Sequence, residues 1–279
     1  MRAGRQQGIV EPGKIAAAAG IVYVTDVVAS HVVALDAHDG KTRWTFGDEP
    51  VAGTRLGTPT DLAFMPNGDI AVADPANRRI VVLGTDGHVR RVIAQPSPVI
   101  HSMCVLSDSS FLIVVLNPSA PIIHLGSNGD ILSTIESPWK GFTNPGQVQG
   151  LLLHAANGDG CTYMLQTGTG FSTVTGKGFG PIHAYIETND SLPELTTAVS
   201  VVAAPATIAI LYRGQSPDRF RLIDLYDLRS LAYRESVVLP TKSRWLARSQ
   251  GSLIAIEKEN DSFAIVAWQL AQGLSSILP

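Results

Sequence analysis

The sequence predicts an all-β fold, a six-bladed β-propeller built from four-stranded antiparallel sheets. Three observations predict it. Short Val/Ile/Leu-rich runs of four to seven residues alternate with Asp-Gly, Asn-Gly or Pro turns, the pattern of strands joined by tight hairpins. The pattern recurs: second strands are expected to begin near residues 21, 69, 111, 161, 207 and 253, a mean spacing of about 46 residues. No long stretch keeps a 3.6-residue apolar period, so helices are expected to be scarce. Four-stranded units at this period close radially, which leaves only short, protected sheet edges.

The first unit, 14–47, contains Ile21-Val-Tyr-Val-Thr-Asp26 and His31-Val-Val-Ala-Leu-Asp36, closed by Asp39-Gly40. The second, 58–95, is the most regular, with strands expected at 60–65, 69–74, 79–84 and 88–94 and turns at Asn67-Gly68 and Asp86-Gly87. The third, 99–136, repeats a whole phrase of the second, Leu125-Gly-Ser-Asn-Gly129 against Leu83-Gly-Thr-Asp-Gly87. The fourth, 147–190, has runs at 150–154, 161–165 and 182–186, with the Gly-rich segment 167–181 read as an insertion between its second and third strands. Such an insertion would lie over the channel face as a lid or contact loop. The fifth, 195–240, and sixth, 243–279, follow by pattern, the sixth ending on Leu274–Leu278. The units fill residues 1–279 as a single domain.

Pro59-Thr-Asp-Leu-Ala-Phe-Met-Pro-Asn-Gly-Asp-Ile-Ala-Val-Ala-Asp-Pro-Ala-Asn-Arg-Arg-Ile80 resembles an NHL repeat, and the stretch from Val33 to Phe46 resembles the tryptophan-docking repeat of PQQ-type propellers. The clear resemblance covers residues 14–94. It implies a six-bladed propeller and leaves activity open. In the PQQ-type relatives the tryptophan packs between blades. The docking phrase occurs once here, so Trp44 is expected at a blade seam, and no quinone and no other cofactor is expected.

Composition narrows the function. Hydrophobic residues are 45% and charged residues 16%, which is a folded rather than disordered chain. The formal net charge of −3 argues against a nucleic-acid binder, and pairs such as Arg78-Arg79 and Arg90-Arg91 are too few to change that. The apolar run 15–24 is too short to span a bilayer, so no transmembrane segment is expected. Residues 1–7 are basic, but no apolar leader core follows, so no signal peptide is expected; an exported location is a family-level analogy. Cys104 and Cys161 sit in apolar runs without metal-ligand spacing and are expected as buried thiols, a disulfide being the lesser alternative.

In propellers of this build, the starts of the first strands line the channel mouth. Those positions are Lys14, Asp61, His101, Gln149, Thr197 and Arg244. Asp61, His101, Gln149 and Arg244 would present a carboxylate, an imidazole, an amide and a guanidinium to one ligand pocket. The leading expectation is a non-catalytic propeller binding a protein partner or small ligand at this face. The alternative is a lyase or a lactonase-like hydrolase. His101 is the channel residue matching a streptogramin-lyase-like site by location, and Glu11, Asp61 and Gln149 are the nearest lactonase-like cation ligands. No metal site is expected, because the seven His are scattered without ligand spacing. The Gly-Lys pair at 176–177 lacks phosphate-loop spacing, and no nucleophile elbow is present. Asp26 and Asp74 recur at one repeat position, which points to turn-tying rather than catalysis.

Overall fold

Within each sheet successive strands pair antiparallel in sequence order, the arrangement that hairpin-joined apolar runs produce. The computed structural model describes residues 8–47, 55–95, 100–115, 122–136, 150–154, 160–165, 170–184, 195–203, 207–214, 222–227, 232–238, 243–249, 252–259 and 262–269. The first sheet runs β1 (Pro12–Ala18), β2 (Ile21–Asp26), β3 (His31–Asp36) and β4 (Thr42–Phe46); the second β5 (Asp61–Phe64), β6 (Ile70–Asp74), β7 (Arg79–Leu83) and β8 (Val89–Ala94). The third has β9 (Ile100–Val105), β10 (Phe111–Val115), β11 (Ile122–Leu125) and β12 (Ile131–Ile135); the fourth β13 (Gly150–His154), β14 (Cys161–Leu165), β15 (Gly170–Thr175) and β16 (Gly178–Ala184). The fifth comprises β17 (Leu195–Ala203), β18 (Thr207–Gly214), β19 (Leu222–Asp227) and β20 (Tyr233–Val238). The sixth shows β21 (Ser243–Ser249), β22 (Ser252–Glu259) and β23 (Ser262–Gln269) among the described residues. The expected last strand at 274–278 lies outside them. The one helical element described is a single 3-10 turn, Pro75–Asn77.

The first strand of each sheet packs against the first strand of the next, β1 on β5, β5 on β9, and so on to β17 on β21. Strand β21 packs in turn on β1. The fold is a β-propeller of antiparallel sheets, with the first strands around the hub.

Burial on both faces explains why the runs are continuously apolar. In β6, Ile70 and Val72 join Ile21, Tyr23 and Val32 of the first sheet in one core cluster. The intervening Ala71 and Ala73 join Met103, Phe111 and Ile113 of the third sheet in another. Successive side chains of a strand point to opposite faces, so each central strand feeds two seams. A third cluster joins the third and fourth sheets through Leu112, Val114, Tyr163 and Val174. A fourth joins the first and sixth through Val22, Val24, Ile254, Ile256 and Ile265.

Turns reach across these seams. Trp44 lies at the seam between the first two sheets. Its indole N–H donates to the Thr85 carbonyl at 2.9 Å, and its ring covers Gly87 of the β7–β8 turn so closely that an added Cβ would lie 2.8 Å from Trp44 Cδ2. The β11–β12 turn repeats the contact one sheet further on, with Gly129 against Ile93 and Ala94 of β8. The Asp-Gly and Asn-Gly phrases thus make their hairpins and dock them on the preceding sheet.

Two expectations are corrected. Cys104 of β9 and Cys161 of β14 form a disulfide, with Cα atoms 6.4 Å apart. The repeat places these two apolar positions face to face across the seam between the third and fourth sheets, where both are fully buried. The Gly-rich segment is not an insertion between second and third strands. Residues 170–175 and 178–184 are the paired strands β15 and β16, turning at Gly176-Lys177. The run 182–186 is therefore entered by the fourth strand, not the third. This hairpin packs on the third sheet instead of covering the channel: Ser133 donates to the Gly176 carbonyl, and a Cβ at Gly176 would fall 2.4 Å from His124 Cε1.

Candidate functional site

Register brings the hub residues to one height. Asp61 pairs with Ala73, the residue before the last of β6. Ser102, next to His101, pairs with Val114, the residue before the last of β10. The Lys14 N–H donates to Thr25 Oγ1 at 2.8 Å, again one residue before the end of β2. Lys14, Asp61 and His101 therefore stand side by side on three successive sheets.

Bulges aim two of them. In β9 the pairing steps from Val114↔Ser102 to Val115↔Ile100, which leaves His101 as the extra residue. In β1 it steps from Pro12↔Asp26 to Ile15↔Val24, across Gly13 and Lys14. Strand β21 repeats that step, from Ser243↔Glu257 to Leu246↔Ala255, across Arg244 and Trp245. A bulge kinks the strand locally and re-aims a side chain, the device proteins place beside binding sites.

Asp61 holds the cluster together. Its side chain is almost fully buried; one oxygen accepts the Leu62 N–H at 2.8 Å and the other the Met103 N–H at 2.7 Å, from the neighbouring sheet. Lys14 Nζ lies 3.5 Å from Oδ1. Both carboxylate oxygens are thus engaged by the protein itself, and Asp61 is a fastener across three sheets more than an open ligand. Thr60 Oγ1 adds a bond to the Ile100 carbonyl at 3.2 Å.

His101 is the open member. Its Nε2 is buried and has no hydrogen-bond partner among the described residues. Burial pushes its pKa below the ordinary imidazole value; Asp61 opposes that shift and Lys14 reinforces it. A neutral ring is the form that accepts a proton or hydrogen bond.

Of the four expected ligand residues, Asp61 and His101 are brought together. Gln149 lies outside the described residues. Arg244 falls within β21, at the bulge, with its backbone alone described. Among the described residues no three His, Cys, Asp or Glu gather closely enough to hold a metal ion. Of the lactonase-like set, Asp61 accepts from backbone N–H groups, Glu11 stands at the entry to β1, and Gln149 lies outside the described residues.

The recurrent aspartates tie turns and do more. Asp26 accepts from the Val28 and Ala29 N–H groups of its own turn and from those of Val10 and Glu11, which lead into β1. Asp74 accepts from Gly57 and Thr58, which lead into β5, and from Asn77 and Arg79. They anchor the entry to each first strand, and so set where Lys14 and Asp61 stand. Glu257, buried at the matching register of β22, is the counterpart that sequence reading missed. Its signal was present, since Leu253-Ile-Ala-Ile-Glu257 is also an apolar run ending in an acid. The bulges left no comparable signal. The bonds to Asp26 leave the side chains of Val10 and Val28 exposed, at 56% and 64%.

No protein-family model and no curated protein sequence matches the chain. Solved structures do. An exported protein from Bacteroides fragilis is 10% identical, over 97% of this chain and 95% of that one, with a TM-score of 0.69. Virginiamycin B lyase from Staphylococcus aureus is 14% identical over 95% and 97%, TM-score 0.59. The β-propeller domain of Cps50 (Swd1) from Myceliophteria thermophila is 8% identical over 97% and 99%, TM-score 0.61. At these identities the likeness establishes the propeller fold alone.

Proposed function

We propose that residues 1–279 form one six-bladed, NHL-like propeller that binds a small ligand at its hub face without transforming it, and that His101 is the contact residue. The observation that supports this reading is the buried, unpartnered Nε2 of His101, held beside a Lys14–Asp61 pair. Buried polar atoms are ordinarily satisfied, so an open one on a hub strand is a place for a ligand's hydrogen-bonding group. Val10 and Val28, exposed where their N–H groups bond Asp26, supply apolar surface at the entry to β1. Gln149 and Arg244 are assigned to the rest of the ligand.

The test is a thermal-shift screen of small amides, alcohols and carboxylates on the wild-type protein and on His101→Phe. A binder at a hundred times its Kd stabilises by about 2.7 kcal/mol, and the reading expects that gain in the wild type and its loss in the variant. Equal gains in both proteins would move the site away from the hub. A second reading, a lyase or lactonase-like hydrolase, is favoured by the burial that lowers the His101 pKa, a shift toward the neutral form that a general base requires. Consumption of a stabilising compound by the wild type and not by His101→Phe would establish it over the binding role.

A further inference from the structure

At the rim, the outer strands of four sheets carry a bulge at one recurring position. Pairing steps from Ala34↔Trp44 to Leu35↔Thr42 across Arg43, from Val82↔Arg91 to Leu83↔Val89 across Arg90, and from Leu225↔Glu235 to Tyr226↔Tyr233 across Arg234. In the third sheet the same step, from His124↔Ser133 to Leu125↔Ile131, falls across Leu132. Each arginine is closed off by an aspartate of its own hairpin: Arg43 by Asp36 at 2.6 Å, Arg90 by Asp86 at 2.8 Å, Arg234 by Asp227. A charged edge is how sheets discourage the addition of a foreign strand. The third sheet lacks that charge. Leu132 is 56% exposed and Ile131 beside it 52%, and β12 itself, Ile-Leu-Ser-Thr-Ile, contains neither charge nor proline.

We propose that the outer edge of β12 is a docking edge for an extended segment of a partner protein, with apolar residues at its centre and lysine or arginine at its ends. Main-chain bonds along Ser133–Ile135 would hold the added strand, and its apolar side chains would cover Ile131 and Leu132. Charge selects this occupant. Residues 126–136 contain Asp130 and Glu136 and no cation. A second copy of the chain, paired antiparallel about Ser133, would set Asp130 opposite Glu136 at both ends, and like charges directly opposite are unfavourable. A strand with cationic ends meets the same two positions favourably. This surface is separate from the hub and does not depend on the ligand proposed there.

The test uses the full chain and a fluorescein-labelled peptide, Lys-Val-Thr-Val-Thr-Val-Lys, with a version carrying Glu at both ends, read by fluorescence anisotropy. The lysine-ended peptide is expected to bind. Leu132→Arg, which restores the charge found on the other sheets, is expected to weaken it at least tenfold. Asp130→Lys leaves Glu136 as the one acid, so it is expected to weaken the lysine-ended peptide several-fold and to erase its advantage over the glutamate-ended one. The second variant also carries the test should Leu132→Arg fail to fold. Sedimentation of the wild type completes it: a dimer abolished by Leu132→Arg would overturn the assignment in favour of self-association. Equal binding of both peptides by the wild type, or of neither, would overturn it outright.

Discussion

Replacing Cys104 and Cys161 together by alanine tests how far the third and fourth sheets depend on their crosslink. The two cysteines are 57 residues apart in sequence. In the chain-entropy treatment, closing a loop of that length removes about 14 cal/mol/K from the unfolded chain, or about 4 kcal/mol at 25 °C. Both cysteines are fully buried, so the lost sulfur volume adds to the effect. With a guanidinium slope of about 5 kcal/mol/M, the unfolding midpoint of the double variant should fall by about 0.8 M. The assay is equilibrium guanidinium unfolding followed by tryptophan fluorescence, without reductant, beside a thiol titration of the denatured wild type. The titration should find no free thiol. Two free thiols, or a double variant with the midpoint of the wild type, would refute the reasoning.

Asp26→Ala removes the acceptor of four backbone N–H groups and should cost about 3–5 kcal/mol, read as a loss of thermal midpoint. Gly87 combines φ +81° with the Trp44 ring over its Cα; Gly87→Ala should cost about 2–3 kcal/mol, and less in a Trp44→Ala background, by a double-mutant cycle. Burial lowers the pKa of His101, so below about pH 6.5 the unfolded chain takes up the proton first and stability falls as pH falls toward the folded value. Thermal midpoints at pH 8 and pH 5.5 should therefore differ less in His101→Phe than in the wild type. Asp36 shows the same sign in a more acidic window: its hydrogen bond from Arg43 brings its pKa to about 2, so its contribution is present above about pH 4 and lost as pH falls through 2. Asp36→Asn should flatten that acid limb.

The fold was largely legible because its signals are local. Asp-Gly and Asn-Gly turns and short β-branched runs located β5 to β8 to within a residue or two. The repeat also marked Asp26 and Asp74 as structural. What escaped depends on pairing across the chain. Nothing in Val99-Ile-His-Ser-Met103 shows that His101 is an extra residue against Val114 and Val115, because a bulge belongs to two strands at once. Cys104 and Cys161 have no telling spacing, and only the stacking of sheets brings them together. The Gly-rich hairpin misled for a different reason. Glycine ordinarily weakens a strand, but here the His124 ring leaves no room for a side chain at Gly176, nor Thr173 at Gly180.

The seam between β1 and β21 has a consequence during synthesis. Most sheets can pack on the one made just before, so contacts accumulate in step with the growing chain. The flank of the first sheet formed by Ile15, Val22, Val24, Val33 and Leu35 is an exception, since its cover includes Ile254, Ile256 and Ile265. That flank stays wet until Ile254–Ile265 have also been made, about 230 residues later, an interval of roughly ten to fifty seconds at ordinary elongation rates. Of the described seams, this one leaves apolar surface uncovered longest on the nascent chain, and it is where sticking and chaperone binding are expected.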